Sequence, residues 1–95
     1  MENYYQNILY CVFLLAGFYV KAEQRTSSGR IDMTLETSDT LYVMELKLDR
    51  TAREALEQID GKEYALPYQF SKKKVVKIGI NFSSQKRNIQ DWVIG

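Results

Sequence analysis

Asp32, Glu45 and Lys47 are charged residues placed where the hydrophobic pattern calls for a buried sheet face. The stretch Leu41-Tyr42-Val43-Met44-Glu45-Leu46-Lys47-Leu48 alternates as a strand does, with side chains pointing to opposite faces in turn. One face carries Tyr42, Met44, Leu46 and Leu48. The other begins with Leu41 and Val43 and then turns to Glu45 and Lys47. Apolar residues on both faces predict an interior strand covered on both sides. A carboxylate and an ammonium there must be paired, bind a metal, or line the mouth of a cleft. The preceding run, Arg30 to Glu36, sets Ile31, Met33 and Leu35 on a common face, and the polar Thr37-Ser38-Asp39-Thr40 follows as a turn. A hairpin closed around that turn puts Glu36 across from Leu41, Leu35 from Tyr42, Met33 from Met44 and Ile31 from Leu46. The apolar matches fix this register, because a slip of one residue moves every side chain to the wrong face. Asp32 then lies opposite Glu45. Opposed residues hold their Cβ atoms roughly 4.5–5.5 Å apart, where like charges destabilise. A divalent cation held between hard carboxylate oxygens compensates that repulsion. Glu and Lys two apart also occur on ordinary solvated sheet faces, and the spacing alone admits both readings.

The elements that must hold these residues follow from periodicity. Ile8 to Val20 is apolar apart from tyrosine hydroxyls and predicts a helix packed on the sheet through Tyr4, Ile8, Cys11, Leu15 and Phe18. Its other side, with Leu9, Phe13 and Tyr19, is apolar too. That excess predicts burial by a partner, most simply a two-fold homodimer of the isolated chain. The run is too short to span a bilayer. Glu2 precedes it and no Lys or Arg does, which argues against a secretory signal. Phe18 to Arg25 reads as a strand and Thr26-Ser27-Ser28-Gly29 as a turn. Thr51-Ala52-Arg53-Glu54 is a capping box opening a helix that ends before Pro67, with an apolar stripe of Ala52, Ala55, Leu56 and Ile59. Gln58 lies at the edge of that stripe, as a cleft residue or a plain helix-edge glutamine. Lys74 to Phe82 reads as a strand with Val76, Ile78, Ile80 and Phe82 on its apolar face. Gly79, on the opposite face, admits close approach of a helix. Ile89 to Ile94 closes the chain as a short strand. A helix joining the third strand to the fourth makes those two parallel. The expected fold class is α/β, an αβββαβ order around a mixed four-to-five-stranded sheet flanked by helices, in a single domain over residues 1–95.

Composition narrows the chemistry. A chain of 95 residues, 45% hydrophobic and 13% aromatic, is globular with a modest core. Cys11, the lone cysteine, precludes an intrachain disulfide, suits a reducing cytoplasm, and in its apolar run reads as a buried, inert thiol. With no histidine, proton transfer falls to carboxylates, lysine or water, and zinc is disfavoured. The net charge of +1 does not announce a polyanion binder. Basic residues nevertheless cluster at Lys21, Arg25 and Arg30, at Lys72-Lys73-Lys74 and at Lys86-Arg87. The triple lysine reads as a solvated loop. Arg30, near Asp32 at the start of its strand, is the candidate phosphate contact.

Gly29-Arg30-Ile31-Asp32, a short hairpin and Glu45-Leu46-Lys47 resemble the paired motifs of the PD-(D/E)XK nuclease superfamily. Three further segments resemble one branch of it more closely: Ala55 to Ala65, Lys77-Ile78-Gly79-Ile80-Asn81-Phe82, and Arg87-Asn88-Ile89-Gln90-Asp91-Trp92. That branch is the small nuclease-like domain found at the carboxyl end of bacterial AAA-ATPase-like proteins. Two departures stand out. Ile31 replaces proline before the aspartate, and Tyr64 falls six residues after Gln58, so the Gln-x-x-x-Tyr motif of some relatives is not matched. The resemblance implies a restriction-endonuclease-like fold that hydrolyses phosphodiesters of DNA. Asp32, Glu45 and the main-chain carbonyl of Leu46 would hold Mg²⁺ or Mn²⁺. Lys47 would orient or activate water, Gln58 would position water or phosphate, and Glu23 is a further candidate contact to the metal. Two other classes stay open: a catalytically silent binding module on the same fold, and an interaction domain for an ATPase-like partner.

Overall fold

Alternating apolar residues build one five-stranded sheet with a helix on each face in the computed structural model, which describes residues 2–26, 29–65, 68 and 71–95. The expected turn residues Ser27 and Ser28, and Pro67, lie outside the described residues. The order is α1 (Glu2–Leu15), β1 (Tyr19–Thr26), β2 (Gly29–Glu36), β3 (Thr40–Leu48), α2 (Ala52–Gly61), β4 (Lys74–Ser83) and β5 (Asn88–Ile94). The strands run β1-β2-β3-β4-β5 across the sheet, antiparallel throughout except for the parallel β3–β4 pair. The fold class is the expected one. No helix among the described residues is long and apolar enough to cross a membrane.

Turn chemistry sets the central register. The Asp39 carboxylate accepts hydrogen bonds from the hydroxyls of Thr37 (3.1 Å) and Thr40 (3.0 Å), and the Thr37 N–H reaches the Thr40 carbonyl at 2.9 Å. These bonds hold Asp39 below its ordinary carboxylate range. The hairpin closes with Glu36 opposite Leu41, Leu35 opposite Tyr42 and Met33 opposite Met44, as apolar matching requires.

Each sheet face has its own core. Val20, Met33, Leu35, Met44, Leu46, Ile80 and Phe82 gather on the α1 side, where Tyr5 stacks on Phe82 with centroids 4.9 Å apart. Leu41, Val43, Leu56, Ile59 and Tyr64 form the core on the α2 side. Ile31 joins this second group instead of staying with Met33 and Leu35. The expectation that all three share a face fails because β2 departs from regular alternation at Asp32.

α1 corrects a second expectation. It seats Tyr5 against the sheet, with Leu9 and Phe13 half-buried beside it, while Tyr4, Ile8, Cys11 and Leu15 face outward. Cys11 is therefore exposed, not buried. Both arcs of the helix are apolar, so periodicity had no basis for choosing between them. The helix stops in a Schellman arrangement: Gly17 takes φ +89°, its N–H bonds the Leu14 carbonyl, and the Phe18 N–H bonds the Phe13 carbonyl, each at 3.0 Å. The Phe13 and Phe18 rings meet edge to face at 6.1 Å, completing that cap.

Candidate active site

Asp32 is aimed by an interruption in the ladder. Pairing of β2 with β3 ends at Met33–Met44 and does not continue through Asp32 and Glu45 as the simple hairpin predicts. The Asp32 Oδ2 instead accepts the N–H of Leu46 at 2.9 Å. The other neighbour is interrupted at the same level. Pairing of β1 with β2 passes from Ala22–Met33 to Gln24–Ile31, and Glu23, between them, takes φ 54°. A left-handed conformation costs a residue with a side chain roughly 1–2 kcal/mol, and such local strain gathers at functional sites. Beyond it, the Gln24 amide donates to the Thr34 hydroxyl (3.2 Å) and its carbonyl accepts from the Tyr68 hydroxyl (3.0 Å). Burial raises the Tyr68 pKa, which favours the protonated, donating phenol. This polar chain beside Asp32 escaped the sequence reading, because Gln24 and Thr34 meet only across strands and Tyr68 arrives from a distant segment.

Glu45 and Lys47 stand on the α2 face of β3, and α2 brings Gln58 to both. The Gln58 amide donates to Glu45 Oε2, and its carbonyl accepts from the Lys47 ammonium. The helix can reach them because Gly79 lies beneath it: a Cβ there would sit 2.2 Å from the Ala52 carbonyl oxygen. Its first turn is pinned by β4 and β5 on the same face of the sheet. Asn81, 2% exposed, accepts from the Arg50 N–H (2.9 Å) and donates to the Arg50 carbonyl (2.7 Å) and to Asp91 (3.0 Å). Asp91 accepts in turn from the Ala52 N–H at 3.0 Å. A carboxylate at a helix amino end satisfies unpaired N–H groups and complements the helix dipole. The Thr51 hydroxyl caps Glu54 N at 3.0 Å. The Glu54 side chain, however, pairs with Arg50 at 2.7 Å, so only half of the expected capping box forms. A buried Asn beside Lys47 on the sheet is the signal that would have revealed this clamp.

Electrostatics at Glu45 are unusual. It is 3% exposed, and burial first, then the charge of the facing Asp32, raise its pKa from 4.5 to about 9. The Lys47 ammonium pulls the other way and loses. Glu45 Oε1 is buried with no hydrogen-bond partner among the described residues. Two carboxylates pressed together in a dry site are reconciled by a shared proton or by a cation. The donor set fits a cation of the hard, oxygen-seeking kind. Among the described residues no group of three or more His, Cys, Asp or Glu side chains assembles, so a metal here would rest on Asp32, Glu45, main-chain carbonyl and water. That is the sparse, water-rich coordination Mg²⁺ tolerates.

The remaining candidates lie apart. Arg30 is exposed, its guanidinium 4.0 Å from Glu23, and no hydrogen bond or ion pair joins it to Asp32, Glu45, Lys47 or Gln58. Glu23 faces that arginine. Of the triple lysine, Lys73 pairs with Glu36 at 2.9 Å and donates to the Thr37 carbonyl at 3.0 Å, bracing the hairpin, while Lys72 and Lys74 are exposed.

A protein of Azotobacter chroococcum mcd 1, described as an uncharacterized protein in the vnfD 5′ region, is 34% identical over a 95-residue alignment that covers 98% of this chain and 18% of that protein. This chain thus spans less than a fifth of that relative's length. The family model of the PD-(D/E)XK nuclease superfamily matches residues 1–92. With that match over an αβββαβ core, the chain belongs to the PD-(D/E)XK nuclease superfamily.

Proposed function

We propose that this chain is a metal-dependent phosphodiesterase that cleaves DNA with Asp32, Glu45, Lys47 and Gln58. The observation that carries the reading is Glu45 Oε1, buried and unpartnered against a second carboxylate with a lysine at hand. Nucleases of the superfamily usually use divalent metals. Asp32, Glu45 and the Leu46 carbonyl would hold Mg²⁺ or Mn²⁺, which supplies an acidified water and neutralises charge on the phosphate. The Leu46 N–H fixes the rotamer of Asp32 and leaves Oδ1 free of that bond. Gln58 holds Glu45 through Oε2, which leaves Oε1 as the ligating atom. Through the same amide it ties down the Lys47 ammonium, whose positive charge offsets the charge that grows on the phosphate. Arg30, two residues from Asp32 and exposed, would meet a neighbouring phosphate.

The same reading assigns the chain a reducing cytoplasm, in keeping with its free cysteine, and an ATPase-like partner. The length of the relative, with this region less than a fifth of it, leaves room for such a partner in one polypeptide. The test is incubation with single-stranded, duplex and branched DNA in Mg²⁺ or Mn²⁺ beside Asp32→Ala. Metal-dependent cleavage by the wild type alone supports the proposal. Absence of cleavage with every substrate, in chain shown to bind the metal, would leave a silent binding module.

A further inference from the structure

All ten exposed large apolar side chains among the described residues belong to α1, the turn and strand start that follow it, or β5; none comes from α2. Leu15 is 88% exposed and Trp92 67%. Tyr4, Ile8, Val12, Phe18, Ile89 and Trp92 among them line two hollows that meet at Ile89. α1 lies mainly over β1, β2 and β3; Tyr5 reaches Phe82 of β4, but on β5 Ile89, Trp92 and Ile94 stay exposed. Tyr42, Ile78, Ile80 and Trp92 line a hollow of about 330 Å³, and beyond Ile89 a second hollow of about 780 Å³ runs along α1 beneath Ile8 and Val12. Arg87 is the one charged side chain among the residues lining the two.

What fits an uncharged trough beside a helix is another uncharged helix, and this chain carries one. Residues 3–20 contain no Asp, Glu, Lys or Arg. The outward stripe of α1, Tyr4, Ile8, Cys11 and Leu15, is as apolar as the arc that meets the sheet. A helix apolar all round is a buried helix, yet one sheet covers only one side of it. We propose that two copies pair about a two-fold axis, the outward stripe of each α1 lying in the β4–β5 trough of the other. The result is three layers, with the two helices side by side between two sheets. Each helix is then covered above and below, and each sheet face is completed. At roughly 80 Å² apiece the exposed apolar side chains offer about 800 Å² per copy, the usual size of a stable interface. The α2 faces, with Asp32 and Glu45, stay on the outside of this pair.

Light scattering and sedimentation of the full chain at low micromolar concentration test the pairing. The expected result is a single species of twice the chain mass, with Leu15→Glu and Trp92→Glu each reducing it to the monomer while the circular dichroism spectrum holds. Both residues are exposed in the single chain, so neither change disturbs its core. Mixing Ile8→Lys with Trp92→Glu should restore pairing that neither forms alone. Cys11 gives an independent readout: maleimide labelling should be at least tenfold slower in the dimer than after dilution to monomer. A monomer up to 100 μM, polydisperse aggregates, or a dimer indifferent to both glutamates would overturn the proposal. A monomer would point instead to a different occupant of the trough, such as another part of a longer polypeptide.

Discussion

Glu45 carries opposing demands within one side chain. Buried and facing Asp32, it stands at about 9 in the folded chain against 4.5 as an ordinary carboxyl. Between those values the metal-free folded state keeps a proton that the unfolded state has lost. Stability is therefore fully present below the lower value and declines as pH rises towards the upper, by at most about 1.4 kcal/mol per pH unit. Glu45→Gln removes the titrating group and one of two opposed charges. Thermal melts in chelator should show the wild type falling through that window while the variant stays flatter and, at pH 8, equals or exceeds it. Added Mg²⁺ should raise the melting temperature of the wild type alone. A marked loss of metal-free stability in the variant would make Glu45 half of a structural pair with Lys47. Gln58 yields a separate prediction. Gln58→Ala strips Glu45 Oε2 of its donor and Lys47 of its acceptor, while the half-exposed position tolerates the smaller residue. Single-turnover cleavage should drop about 10- to 100-fold, the cost typical of losing a residue that orients a ligand, with the melt little changed. An undiminished rate would return Gln58 to the status of a helix-edge glutamine.

α2 is the element on which the site depends, because it delivers Gln58, and Gly79 decides how closely it lies. With an added Cβ 2.2 Å from a main-chain oxygen, Gly79→Ala must push the helix away from β4. Such overpacking costs about 1–3 kcal/mol, and the helix should carry Gln58 with it. Urea unfolding should show the loss, and cleavage should fall further than the loss of folded protein explains. Unchanged stability would mean that α2 can shift without strain. Elements of this kind were legible from the sequence where one face was forced. The stripe Ala52, Ala55, Leu56 and Ile59 is buried as periodicity requires, the β2–β3 register follows its apolar matches at Met33 and Leu35, and β3 and β4 are parallel about a crossover helix. Legibility ended where two answers cost the same or where contacts are purely tertiary. α1 is apolar on both arcs, so its seated face was misassigned. Nothing in a glutamate announces the left-handed turn of Glu23, and without it the departure of Ile31 from its expected face could not be foreseen. Asp32, Glu45 and Lys47 were visible as charges out of place. The reach of Gln58 depends on Gly79, Asn81 and Asp91 together, three residues remote from it in sequence.

The two sides of one sheet differ in character. Charged and polar groups converge on the α2 side, while uncharged surface gathers on the α1 side, so the proposed pairing and the proposed chemistry are separable by mutation. On the first side, Asp32 and Glu45 are the proposed divalent-cation site. Because Glu45 is raised to about 9, at pH 7 it holds a proton that a metal must displace. Titration calorimetry with Mn²⁺, repeated in buffers of different ionisation enthalpy, reads the ion and the proton together. One Mn²⁺ per chain should bind with release of about one proton, both abolished in Glu45→Gln. Binding that releases no proton, or that survives Glu45→Gln unchanged, would contradict it.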